Sequence, residues 1–160
     1  DSGRRRMDGR TEAMTRSPRA GVAKSLRSSK CLLPGNVMIL DHIGFNVSDL
    51  AASKRFYDTA LAPLGIGVAA EGDGWVMLGR EGKPQFWFGS FGAVPGPIHI
   101  AFAAANREQV RQFHAAALKA GAKDNGPPGL RPDYHPNYYG AFVIGPDGHN
   151  IEAVCHQAEG

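Results

Sequence analysis

The chain contains a copy of part of itself. A shift of 57 residues places His42 on His99, Ile43 on Ile100, Phe45 on Phe102, Phe56 on Phe113, Ala60 on Ala117 and Leu61 on Leu118, six identities over positions 42–66. Chance easily matches alanine with alanine; it rarely matches histidine and phenylalanine together at one offset. A duplicated unit has to fold into the same supersecondary motif twice, and the two copies have to share an apolar interior.

The motif can be read from either copy. In the first, "MILDHIGFNV" (38–47) alternates like a strand, with Ile43, Phe45 and Val47 on one face and Leu40, His42, Gly44 and Asn46 on the other. Ser48 or Asp49 suits a helix N-cap, and "DLAASKRFYDTALAPLG" follows with an apolar stripe of Leu50, Phe56, Tyr57, Ala60, Leu61 and Leu64. Three short strands are expected near 67–70, 75–78 and 85–88. After the linker Pro95-Gly96-Pro97 the order restarts with the strand "PIHIAFAA" (97–104) and the helix "NREQVRQFHAAALKAGA". Asn106 and Gln109 form a capping-box pattern there, and Gly121 supplies a stop. The reading is an α+β fold of two βαβββ modules, module one at 38–94 and module two at 95–156, making a cupped, mostly antiparallel sheet.

Charge separates this body from what precedes it. Residues 1–37 hold nine Lys/Arg and three Asp/Glu, while 38–160 hold nine and twelve, so the net +3 belongs to the first segment and the body is mildly acidic. An acidic body argues against a nucleic-acid-binding face. Segment 1–37 is Arg-, Ser- and Gly-rich without a period, and is expected to be a poorly structured basic extension. Three readings fit it: an extension upstream of the natural start, an organelle-targeting peptide, or an arm for nucleic acid. Asp8 and Glu12 interrupt the targeting pattern. Two cysteines, Cys31 and Cys155, make no disulfide framework, no apolar run approaches the length of a membrane span, and a reducing, cytoplasmic location is expected.

Polar residues on apolar strands mark the candidate site. The last strand lies in "YYGAFVIGPDGHNIEAVCH" (138–156), where Ile151, Ala153 and Cys155 share one face and Glu152 takes the other. His42 and His99 face away from the apolar sides of their strands in the same way. If helices cover the apolar faces, the two imidazoles and the carboxylate meet on the open side. Such a 2-His-1-carboxylate set binds Fe(II), Mn or Zn and leaves coordination positions free, and an ion would supply the partner that a carboxylate on a buried strand requires.

With these residues in place, "DHIGFNVSDLAASKRFYDTALAPLGI", "IHIAFAA" and "GPDGHNIEAV" resemble the vicinal oxygen chelate superfamily: glyoxalase I, bleomycin and fosfomycin resistance proteins, and extradiol dioxygenases. The likeness covers about 38–156. It implies paired βαβββ modules around a divalent metal (Zn, Ni, Co, Fe(II) or Mn), a small oxygenated substrate, and a homodimer. His42, His99 and Glu152 match the family's ligand positions on strands one, five and eight. One departure concerns the further carboxylate of glyoxalase I on the fourth strand. Here "GKPQFWFGS" has none, and counting from Gly82 as from Gly148 places Phe86 opposite Glu152.

Other residues are candidates for the rim. Arg131, Tyr138 and Tyr139, in and beside the loop "RPDYHPNYYG", are expected to bind substrate, with Arg131 suited to a carboxylate or phosphate; packing within the loop is the other reading. Trp75, Phe86, Trp87 and Phe88 form either a pocket wall, Trp87 foremost, or core and dimer interface. His149 is expected in solvent. Two functions compete. One is metal-dependent lyase, isomerase or dioxygenase chemistry, with Glu152 available as a catalytic group. The alternative is non-catalytic sequestration of a small molecule, as in bleomycin resistance proteins.

Overall fold

The computed structural model describes residues 40–158. The expected extension 1–37 lies outside the described residues. Ten regular elements follow in the order of two βαβββ units: β1 (Ile43–Asn46), α1 (Leu50–Leu61), β2 (Gly67–Gly72), β3 (Trp75–Arg80), β4 (Lys83–Gly89), β5 (His99–Ala103), α2 (Arg107–Lys119), β6 (Lys123–Leu130), β7 (Tyr139–Ile144) and β8 (Asn150–Cys155). Each unit closes its own sheet. The orders are β1-β4-β3-β2 and β5-β8-β7-β6, with β1/β4 and β5/β8 parallel and the other neighbours antiparallel.

Both helices start where a side chain satisfies an orphan amide. Asp49 accepts from the Ala52 N–H at 2.9 Å and Asn106 from the Gln109 N–H at 2.9 Å, while Gln109 Oε1 returns a bond to the Ala105 N–H at 2.7 Å. Pro63 cannot continue an α-helical ladder, and α1 tightens into a 3-10 turn at Ala62–Leu64. The helices pack on each other and on the inner sheet faces. The duplicated residues supply much of that core: Phe56, Phe113, Ala60 and Ala117 are buried. Leu118 departs from its counterpart, for it stays exposed while Leu61 is fully buried.

Strand alternation decides which side chains remain outside. On β4, Phe86 and Phe88 point into the core against Tyr57 and Phe45, so Trp87 between them points out. Of the aromatic run 86–88, only Trp87 is therefore open to a pocket or partner. Ile43 sits at the rim of the apolar face, 37% exposed.

Three further contacts fasten the modules. Arg80 on β3, braced by its Nε bond to the Leu64 carbonyl of the same module at 2.9 Å, donates from Nη2 across to the Ala103 carbonyl at 2.5 Å. Asp147, in the turn before β8 with φ of 57°, accepts from the Ser48 N–H at 3.1 Å, tying that turn to the start of α1. His149 is not in solvent: it is fully buried, edge-on to Phe45 with ring centroids 4.9 Å apart, and its Nδ1 accepts from the Ile98 N–H at 3.2 Å.

Candidate functional site

Glu152 lies on β8 between Ile151 and Ala153 with 1% of its surface exposed. Burying a carboxylate this deeply is costly unless its oxygens are satisfied. Here each oxygen has its own neighbour. The Tyr138 hydroxyl donates to Oε1 at 2.5 Å, and His99 Nε2 stands 3.1 Å from Oε2. Space for the group comes from Gly140 on β7, where a Cβ would stand 2.9 Å from Oε1 and 3.1 Å from the Tyr138 ring.

The ladder explains why these side chains meet. Phe142 pairs with Glu152 across β7/β8, and residues directly opposite in an antiparallel pair share a face. Tyr138, Gly140 and Phe142 therefore look the same way as Glu152. His99 stacks on Phe142, centroids 6.4 Å apart. Arg131 also lies over Phe142, its guanidinium carbon 5.5 Å from the ring centroid. Tyr134 and His156 complete the rim, each edge-on to Tyr138 at 5.2 and 5.0 Å. Burial, followed by the adjoining Glu152 carboxylate, raises the Tyr138 phenol above its ordinary range, so it stays a donor to Oε1.

Tyr139 takes the opposite face. Its ring lies under the Arg107 and Arg111 guanidinium groups of α2, at 5.1 and 5.9 Å, and it does not join Glu152. The expectation that both tyrosines bind substrate meets the period of a strand: neighbours in sequence cannot share a face.

Module one offers a second open face. His42 precedes β1, is largely exposed, and its Nδ1 lies 2.9 Å from the Asp41 carboxylate. With Asp41, Met77, Gln85 and Trp87 it lines a cavity of about 220 Å³. The indole of Trp87 lies flat across Gly44, where any Cβ would overlap it. Register corrects one position in the duplication. Gly44 pairs with Trp87 as its counterpart Ala101 pairs with Glu152, so the residue equivalent to Glu152 is Trp87, not Phe86. Counting forward from the turn glycines falls one residue short because β4 carries an extra residue, Gln85, where the β3/β4 register shifts, while β7 and β8 pair without a shift.

The three expected metal ligands are thus divided. His99 and Glu152 come together; among the described residues, no group of three or more His, Cys, Asp or Glu could hold a metal ion, so His42 does not join them within one chain. Phe142 and Gly140 join the site without a polar group to mark them. The signal for both was present in "YYGAF": a glycine two residues before an aromatic, on the strand beside the glutamate.

Comparison with known proteins agrees with this architecture. The Glyoxalase/Bleomycin resistance protein/Dioxygenase superfamily profile matches residues 39–153. A crystal structure of a glyoxalase/bleomycin resistance protein from Albidiferax ferrireducens T118 is 30% identical, with a TM-score of 0.66, covering 74% of this chain and 99% of its own. A glyoxalase/bleomycin resistance protein/dioxygenase family enzyme from Burkholderia phytofirmans PsJN (15% identity, TM-score 0.58, 73% and 98% coverage) shares the fold. So does a glyoxalase-related enzyme from Fulvimarina pelagi (19% identity, TM-score 0.57, 74% and 87% coverage). No curated protein matches. No helix among the described residues is long and apolar enough to cross a membrane. Duplicated βαβββ units, the profile match over most of the chain and the 30% identical structure lead to one conclusion: the chain belongs to the Glyoxalase/Bleomycin resistance protein/Dioxygenase superfamily.

Proposed function

We propose that the protein is a divalent-metal-dependent enzyme acting on a small oxygenated substrate, by lyase, isomerase or dioxygenase chemistry. Its metal would be held by His99 and Glu152 of one chain with His42 of a second copy. The observation that carries this reading is Glu152, a carboxylate 1% exposed with an imidazole nitrogen 3.1 Å from one oxygen. Two donors at that separation suit one ion with bonds near 2.1 Å. The open face of module one, with His42 and Trp87, is the matching half, and a homodimer brings it to the module-two face. No carboxylate stands at the Trp87 position, so the strand-four ligand of glyoxalase I has no counterpart there and substrate or water would fill the remaining positions.

When bound, a divalent ion supplies Lewis-acid polarisation of a substrate oxygen. The chain's own residues set the stage for it. Tyr138 occupies Oε1, which fixes the carboxylate plane and directs Oε2 toward His99. Phe142 backs the His99 ring and limits its tilt. Trp87 from the second copy would close the cup with an apolar wall.

A second reading, sequestration of a small molecule without turnover, is favoured by the indole standing where the module-two strand has its carboxylate. The two are separated by metal content. Protein purified without chelator should retain Zn, Ni, Co, Fe or Mn, and His99→Ala and Glu152→Gln should lose it. Wild-type protein that takes up none of these ions at neutral pH refutes the metal reading.

A further inference from the structure

Arg131 is a half-buried cation without an acid. Among the described residues no carboxylate pairs with it. Its fork is nevertheless held in place. Nη1 donates to the Leu130 carbonyl at 3.1 Å and Nη2 to the Pro127 carbonyl at 2.8 Å, and the group lies over Phe142. Gly129 leaves it the room to lie flat along β6, since a Cβ there would stand 2.8 Å from Nη1. Two of its five N–H groups are used, so three remain for another acceptor.

Its position is set by the ladder. Leu130 pairs with Tyr139, and the Arg131 N–H donates to the Tyr138 carbonyl at 2.8 Å, which makes Arg131 the cross-strand neighbour of Tyr138. It therefore shares the face of Tyr138, Gly140, Phe142 and Glu152. The Phe142 centroid lies 5.5 Å from the guanidinium carbon and 6.4 Å from the His99 centroid, so the two groups are no further apart than these lengths laid end to end. Acyclic acids of a few carbons fall within that limit.

From this arrangement we infer that the substrate is a small acid with two poles: vicinal oxygens that meet His99 and Glu152 at one end, and an oxyanion, carboxylate or phosphate, that docks on Arg131 at the other. This rests on the metal reading above and adds to it the charge and length of the substrate. A partly desolvated guanidinium with a fixed fork favours a planar or tetrahedral oxyanion and rejects a neutral terminus. Phe142, the neighbour of both groups, would pack against the connecting carbons.

The test uses full-length protein and three 2-hydroxy acids with the same chelating end. 2-Hydroxyglutarate ends in a carboxylate, 3-phosphoglycerate in a phosphate, and 2-hydroxypentanoate in a methyl group. Mn²⁺ uptake by wild-type protein is titrated first, and calorimetry of the Mn²⁺-loaded protein then gives the affinity for each acid. At least one anionic-ended acid should bind roughly ten- to hundredfold more tightly than 2-hydroxypentanoate, the range of a charge-assisted contact. In Arg131→Met the gap should close while 2-hydroxypentanoate binds as before, and Arg131→Lys should restore part of it. Melting curves confirm that both variants fold; if the Met variant does not, the comparison is made with Arg131→Lys, which should narrow the gap. Equal affinities in the wild type, or a gap that survives in every folded variant, overturn the inference and leave the metal reading standing. No Mn²⁺ uptake, or no binding of any of the three acids, overturns it as well, the former taking the metal reading with it.

Discussion

Replacing Tyr138 by Phe removes one oxygen atom from the site and little else. The hydroxyl is the only hydrogen-bond donor on Oε1 among the described residues, at 2.5 Å, and its acceptor belongs to a residue 1% exposed. A hydrogen bond to a charged group contributes about 1.5–3 kcal/mol, and a buried acceptor that loses its donor forfeits most of that. Tyr139→Phe is the matched control. Among the described residues its hydroxyl meets only Arg111, at 3.5 Å on an exposed part of the helix face, so the loss should stay within about 0.5 kcal/mol. Urea unfolding of metal-free protein should show a lower midpoint for Tyr138→Phe with an unchanged slope, corresponding to about 1.5–3 kcal/mol, and little change for Tyr139→Phe. In metal-loaded protein, Tyr138→Phe should also weaken metal binding roughly tenfold or more, as loss of a ligand's supporting contact does. Equal stability of the two variants would refute the claim that Tyr138 is what makes the buried carboxylate tolerable.

Three further outcomes are expected. Burial holds the His149 imidazole below its ordinary pKa, partly offset by Asp147, so it folds neutral; the stability this preserves is present above about pH 6.5 and lost as pH falls below it. The urea midpoint of His149→Gln should accordingly fall less between pH 7 and 5 than that of the wild type, and parallel curves would contradict the assignment. Gly44→Ala should drive the Trp87 indole off β1, shifting tryptophan emission and lowering stability by about 1–3 kcal/mol; an unchanged spectrum would show that the ring does not lie there. Asn106→Ala removes the cap of α2 and should cost about 1 kcal/mol in the same unfolding assay, whereas no loss would mean that the Gln109 amide is satisfied otherwise.

The parts of this fold that were legible in the sequence are those where a period and a cap coincide. Both helices, their N-caps and the first strand of each module follow from the 57-residue offset and from apolar spacing. The strand β6 was not legible. "KDNGPPGL" holds two prolines and two glycines, and it forms an edge strand only because its register shifts between Gly126 and Gly129, which takes Pro127 and Pro128 out of the ladder. Within the site, Glu152, His99, Tyr138 and Arg131 were readable as polar residues out of place on or beside strands. Tyr139 was misplaced because a loop gives no parity until the first paired residue of the next strand is known. His149 looked solvated because it follows a turn; the turn folds back on the module junction, and the ring fills space beside Phe45. His42 stands away from Glu152 because each module closes its own sheet, which alternation along single strands cannot reveal.

The central claim, a metal held across two chains, is tested most directly by metal content in a mixture of two defective variants. His42→Ala lacks the ligand given by one chain, and Glu152→Gln lacks one given by the other. Unfolded together at equal concentration, refolded and dialysed against Mn²⁺, they form mixed dimers in which one of two sites keeps His42, His99 and Glu152 intact. With random pairing, tightly bound metal should reach about a quarter of the wild-type value, while each variant treated alone binds almost none. A refolded, dimeric mixture holding no more metal than its separate components, beside a wild type that binds metal, would contradict a site shared between chains; a wild type that binds none would contradict the site altogether.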